Sequence, residues 1–92
     1  MIVIAGTTPL NYWVLIDRAD LLPQLFGLVL IPPAVFNELN QPEASERVRN
    51  WVANPPSWLQ VQSLRSPPDA SLDYLDSGER EAIALAEEVK AD

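Results

Sequence analysis

Two short runs of consecutive apolar residues constrain the fold of this chain more than any other feature. Residues 2–5 read Ile-Val-Ile-Ala, and residues 28–31 read Leu-Val-Leu-Ile. Runs of this length without alternating polar residues are typical of strands buried on both faces, as in a parallel sheet. Prolines follow each run within a few residues, where they favour the first turn of a helix. The sequence therefore predicts two strand–helix units.

Helical spacing of apolar residues follows both runs. After the first run, Pro9 fits the first turn of a helix, with Thr7 or Thr8 as its N-cap. Gly27 is a suitable C-terminal stop for the helix before the second run. Further helices are predicted over 17–26, from Pro32-Pro33 onward, over 43–53 and over 77–90.

A third strand is predicted over residues 58–64, which alternate between apolar and polar side chains. Such alternation is typical of a strand with one solvent-facing side, here at the edge of the sheet. The resulting order of strands and helices predicts an α/β fold with a short parallel sheet and right-handed crossovers. A chain of 92 residues is expected to form a single domain, residues 1–92.

The polar composition limits the chemistry that is open to the chain. It contains no cysteine and no histidine, which excludes disulfides, thiolate nucleophiles, histidine-ligated zinc and Ser-His-Asp catalysis. Its 13 acidic residues exceed its 6 basic ones, giving a net charge of −7. This acidity indicates either a well-solvated surface or a cluster of acids that binds Mg²⁺ or Mn²⁺. With no signal-like segment and no apolar run of about 20 residues, we expect a cytoplasmic protein without membrane contact.

Three polar regions are expected to meet at the carboxyl ends of the strands, where parallel sheets bind ligands. They are the stretch 6–8 after the first strand, Glu38 in the helix after the second strand, and the start of the last helix at 76–81. Carboxylates that converge from separate loops would hold a divalent cation, which could activate water and bind a phosphate.

Each of these acids also has a plainer interpretation. Glu38 could face solvent, and Glu79 could be the acid of a capping box that begins at Asp76. Glu81 could interact only with the dipole of its own helix. Asp17 and Asp20 are expected to start the second helix rather than bind metal.

Several stretches together resemble the PIN-domain family, and more narrowly its VapC-like branch. They are VIAGTTPLNYWVLIDRADLLPQLFG, VLIPPAVFNEL and LDSGEREAIALAEEVKAD, and the resemblance covers nearly the whole chain. It implies a Rossmann-like α/β/α sandwich with a Mg²⁺- or Mn²⁺-dependent ribonuclease site of three or four carboxylates. Many such relatives are toxins of toxin–antitoxin pairs, held inactive by an antitoxin.

The family pattern after the first strand is similar to ADTSPL, where this chain has AGTTPL. Gly6 therefore stands where the resemblance places the first metal-binding acid. Thr7 or Thr8 corresponds to the hydroxyl residue that supports the metal site in relatives.

The remaining acids of the family pattern correspond to Glu38 and to Glu79, with Glu81 as the alternate for the latter. Asp92 corresponds to the residue before a further strand, which relatives carry with one or two more acids and which this chain lacks. The resemblance therefore implies an incomplete PIN-like domain, and we expect metal binding and RNA cleavage to be weak or absent. The alternatives are a binding module that engages an antitoxin or another PIN protomer, or a chain with no selected function.

Overall fold

The computed structural model describes residues 2–90. The correspondence predicted for Asp92 lies outside these residues. The elements in chain order are β1 (Ile2–Ile4), α1 (Thr7–Leu15), α2 (Leu21–Phe26), β2 (Leu28–Ile31), α3 (Pro33–Leu39), α4 (Glu46–Ala53), β3 (Leu59–Val61), a short 3-10 helix (Ala70–Leu72) and α5 (Ser77–Val89).

The strands form a parallel sheet in the order β1-β2-β3. Val29 of β2 lies opposite Val3 on one side and opposite Leu59 on the other. This arrangement confirms the predicted α/β fold and its parallel sheet. All three carboxyl ends point the same way, so the segments that follow the strands emerge along one edge.

The two apolar runs differ in how deeply they are buried. The second run forms the middle strand, and its residues Val29, Leu30 and Ile31 are buried. The first run was predicted to be buried on both faces, and this is wrong: Ile2 is 37% exposed, and Val3 and Ile4 are only half-buried. The reason is position, because β1 is an outer strand of the sheet formed within residues 2–90 and β2 is covered on both sides.

β3 also lies at an edge, as predicted, but it is shorter than the alternating segment 58–64. Leu59 is buried, whereas Gln60 and Val61 are exposed. Only three residues pair with β2, which is itself four residues long. The period-two pattern therefore extends beyond the part of the segment that finds a partner strand.

The helix predicted over 17–26 begins later, at Leu21. Asp17 adopts φ 59°, in the left-handed region, and closes the end of α1 instead of starting α2. Its N–H donates to the carbonyl of Val14 (3.0 Å), and the N–H of Arg18 donates to the carbonyl of Trp13 (3.0 Å). These two bonds are the Schellman pattern of a helix C-terminus, where glycine is preferred.

Asp17→Gly is therefore expected to raise the free energy of unfolding by about 0.5–1 kcal/mol. A left-handed conformation costs an L-residue about 1–2 kcal/mol, which glycine avoids. Part of this gain is lost because glycine loses more backbone entropy on folding. Urea unfolding followed by circular dichroism would measure the change. Asp20→Gly is the matched control, since Asp20 has the ordinary helical φ of −63° and should gain nothing. Equal effects of the two substitutions would contradict the assignment of strain to Asp17.

Side-chain caps fix the starts of two later helices. Ser45 Oγ accepts the N–H of Val48 at 3.3 Å, so α4 begins at Glu46 rather than at the predicted Glu43. Asp69 caps the short 3-10 helix: its Oδ1 accepts the backbone N–H of Ser71 at 2.8 Å. This hydrogen bond holds the pKa of Asp69 below its usual value.

The core lies between the sheet and the helices. α3 packs extensively against α5, and α1 contacts both α3 and α4. Leu85 is the fully buried anchor of α5, whereas Ile83, predicted for the same inner face, is 40% exposed. No helix within residues 2–90 is long and apolar enough to cross a membrane. Other fully enclosed side chains come from α1, α3, α4 and the middle strand, and include Leu10, Ile31, Val35, Leu39, Val48 and Val52.

Candidate functional site

A depression of about 200 Å³ lies where α1, α3 and α5 meet. It is lined by the N-terminus of α1, the last turn of α3 and the N-terminus of α5. These are the three regions that the sequence predicted to converge at the carboxyl edge of the sheet. Its lining residues are Gly6, Thr7, Thr8, Pro9, Glu38, Asp76 and Glu79.

Glu38 is the acid of the depression that contacts both neighbouring helices, α1 and α5. It is half-buried near the end of α3, and its Oε2 accepts a hydrogen bond from Thr7 Oγ1 at 2.5 Å. On the α5 side, its carboxyl group lies directly against Gly78. The interpretation of Glu38 as a solvent-facing helix residue is therefore wrong.

Gly78 is buried in the first turn of α5, and no pattern in the sequence indicated a role for it. A Cβ atom added there would lie within 3.0 Å of both carboxyl oxygens and of Cδ of Glu38. The distances to Oε1 and Cδ are too short for a real contact, so the Glu38 carboxyl group could not keep this position beside a residue with a side chain.

Asp76 lines the depression as well, as expected for the region 76–81, although the sequence assigned it individually only a capping role. That capping role is confirmed: Asp76 Oδ1 accepts the N–H of Glu79 at 2.9 Å. The side chains of both residues are exposed on the α5 rim. An N-cap side chain lies at the start of its helix, so Asp76 borders the same depression as Glu79.

Glu81 does not line the depression. Its Oε1 accepts the N–H of Ala34, at the start of α3, at 3.1 Å. α3 begins after Pro32, which supplies no side-chain cap of its own, so Glu81 serves as the cap from a different helix. The structure thus gives Glu81 a contact with the N-terminus of α3. Its interaction with the dipole of its own helix stays a prediction.

The threonines do not cap α1. The N-cap residue is Gly6, which has no side chain to offer, and Thr7 is the first residue of the helix. The hydroxyl of Thr7 is directed at Glu38 instead, while Thr8 is exposed on the rim of the depression. The prediction of Thr7 or Thr8 as N-cap is therefore wrong.

Gly6 leaves open space in the site. Its backbone is extended, with φ −87° and ψ 176°, which any residue can adopt. A Cβ atom there would meet only Pro9 Cδ, at 3.9 Å. A side chain at this position would therefore fit without moving its neighbours, and it would extend from the N-terminus of α1 beside Thr7.

The acids around the depression do not fit a metal centre. Across residues 2–90, no three carboxylates are arranged so that they could hold one ion. Oε2 of Glu38 already accepts a hydrogen bond from Thr7, and Oδ1 of Asp76 accepts one from the backbone N–H of Glu79. No lysine or arginine of the described chain lines the depression, so its charge is negative and it repels a phosphate group.

The model of a family described as a PIN domain matches residues 2–92. The chain belongs to the PIN-domain family. No curated protein matches the sequence, and no solved structure does either.

Membership in the PIN-domain family confirms the family predicted from the resemblance. It also agrees with the parallel sheet and helices of the structure. Assignment to the VapC-like branch stays a prediction, as do the metal-binding roles of Glu38, Glu79 and Glu81 and the supporting roles of Thr7 and Thr8.

Proposed function

We propose that this chain is a PIN domain of the VapC-like ribonuclease type, acting in the cytoplasm, whose own cleavage of RNA is weak or absent. The observation that carries the proposal is the composition of the depression. Glu38 and Glu79 line it, as the resemblance implies, but Gly6 provides no carboxylate where the first acid is expected.

The physical argument concerns the number of charged oxygens. Mg²⁺ and Mn²⁺ are hard cations that require several oxygen ligands in near-ideal geometry to offset their dehydration. The three separated carboxylates of the depression, one of them engaged by Thr7, would hold a hydrated ion weakly. A reacting phosphate would then be poorly placed, and an error of about 1 Å can lower a rate about 10²-fold.

An RNA cleavage assay tests this proposal directly. With a mixed single-stranded RNA and millimolar Mn²⁺, we expect cleavage no greater than in EDTA. Glu38→Gln should change nothing, because there is little activity to lose. Glu87→Gln, which removes an exposed acid of α5 outside the depression, is the control for a general change in charge.

Robust cleavage that requires Mn²⁺ and disappears in Glu38→Gln, but not in Glu87→Gln, would overturn the proposal. It would mean that the carboxylates of the depression rearrange into a working site when RNA and metal are present.

A second candidate is a non-catalytic module that binds an antitoxin protein or another PIN protomer. The observation that favours it is an apolar face on α1: Tyr12 is 59% exposed, and Leu15 and Ile16 are each 43% exposed. Residues three and four apart lie on one side of a helix, so these side chains share a face. Light scattering over a range of concentrations would test self-association, and a monomer at all concentrations would leave only a partner of a different kind.

A further inference from the structure

We infer that Glu38 serves in this chain as a metal-independent structural junction that joins α1, α3 and α5 through Thr7 and Gly78. The inference does not depend on the proposed function, because it concerns what the carboxylate does in the folded chain without any ligand.

The junction connects segments that are distant in sequence. Thr7 is the first residue of α1, Glu38 is the second-last residue of α3, and Gly78 is the second residue of α5. Thr7 and Glu38 are separated by 31 positions. A single side chain therefore links the ends of three helices at the carboxyl edge of the sheet.

The bond to Thr7 occupies one oxygen of Glu38. A donor–acceptor distance of 2.5 Å is in the range of hydroxyl–carboxylate bonds, which are about twice as strong as bonds between neutral groups. Threonine has one hydroxyl proton, so its donor is fully committed to Glu38. That proton lies at Oε2, and the other oxygen of Glu38, Oε1, lies beside Gly78.

Gly78 leaves the space in which Oε1 and Cδ of Glu38 lie. Gly78 is not among the residues with positive φ, so no unusual backbone conformation explains its identity. Glycine within a helix costs about 0.5–1 kcal/mol relative to alanine. The close approach of Glu38, which leaves no room for a Cβ atom, supplies the physical reason for a glycine at this position.

The lack of a metal-ligand set around Glu38 supports the same conclusion. Within residues 2–90 no three carboxylates lie close enough to hold one ion, yet Glu38 is half-buried and accepts a hydrogen bond from Thr7. The resemblance assigns the Glu38 carboxylate to a metal. In this chain it contributes to the fold instead, through the hydrogen bond from Thr7 and the packing against Gly78.

A double-mutant cycle in EDTA tests the junction. Thr7→Val removes the donor, and Glu38→Met removes the acceptor at similar length. Each is expected to lower Tm by about 4–8 °C, the shift that corresponds to one lost hydrogen bond in a domain of this size. The double variant should be little worse than either single variant, because both remove the same interaction. Thr7→Ser keeps the hydroxyl and should retain most of the original Tm.

Additive effects in the cycle, or a loss in Thr7→Ser equal to that in Thr7→Val, would overturn the inference. If a Glu38 variant does not fold, Gly78→Ala gives an independent test. It should displace Glu38, so that adding Thr7→Val to it causes no further loss of Tm, and a further loss of several degrees would contradict the junction.

A further test measures the effect of metal on the Tm of the unsubstituted chain. We expect its Tm to differ by less than about 1 °C between EDTA and 10 mM Mn²⁺, since a ligand that does not bind the folded state does not stabilise it. A rise of several degrees in Mn²⁺ that is absent in Glu38→Met would identify Glu38 as a metal ligand and overturn the inference.

Discussion

Gly6→Asp is expected to make the stability of the chain depend on divalent cations. The new carboxylate would extend into the open space beside Thr7, in a depression that already contains Glu38, Asp76 and Glu79. Without a cation the four acids repel one another, although an aspartate at the N-cap of α1 also satisfies helix N–H groups. With a cation present, the added oxygens offset part of the cost of its dehydration.

The size of the effect follows from mass action. If the ion is held with a Kd of about 1 mM, 10 mM Mn²⁺ adds about 1.4 kcal/mol to the free energy of unfolding, or about 6–11 °C in Tm. Thermal unfolding in EDTA and in Mn²⁺ would measure the difference.

Gly6→Asn is the matched control for this prediction. Asparagine caps a helix as well as aspartate does but carries no charge, so its Tm should not respond to Mn²⁺. Equal responses of the two variants would show that the depression does not gain a cation site from a carboxylate at position 6.

Leu39→Ala is expected to lower the free energy of unfolding by about 2–5 kcal/mol, the usual cost of a cavity left by a buried leucine. Leu39 is 2% exposed on α3, directly after Glu38, and it belongs to the main apolar cluster. A domain of this size has about 5–15 kcal/mol in total, so the substitution would remove a large share of its stability.

Leu25→Ala provides the control within the same chain, because Leu25 is 58% exposed on α2. It should change the free energy of unfolding by no more than about 0.5 kcal/mol. The midpoints of urea unfolding would compare the two variants. Similar midpoints would mean that Leu39 does not anchor α3 as its burial indicates.

The sequence predicted those parts of the fold that depend on local pattern. The run 28–31 is a buried strand, Gly27 ends α2 with φ 87°, and Asp76 caps α5. It did not predict the exposure of β1, because an apolar run does not tell which strand is central. It also did not predict the end of α1 at Asp17, since aspartate enters the left-handed region only occasionally and glycine is the usual residue there.

The site was predictable in its location but not in its connections. The carboxyl edge of a parallel sheet brought Gly6, Glu38 and Glu79 to one depression, as expected. The partners of these acids depend on how α3 and α5 pack against each other, which no local pattern specifies. The contact of Glu38 with Gly78 and that of Glu81 with Ala34 are both of this kind.

The cap that Glu81 gives to α3 affects the order in which the chain can fold. The N-terminus of α3 has only Pro32 before it, and its carboxylate partner comes from 47 positions later in the sequence. During synthesis from the N-terminus, α3 leaves the ribosome long before the residue that completes its first turn. Contacts between distant segments slow folding because the loop between them must close first. Residues 33–39 therefore gain this hydrogen bond only when α5 docks, so the helix that carries Glu38 depends on the last helix of the chain for its N-terminal cap.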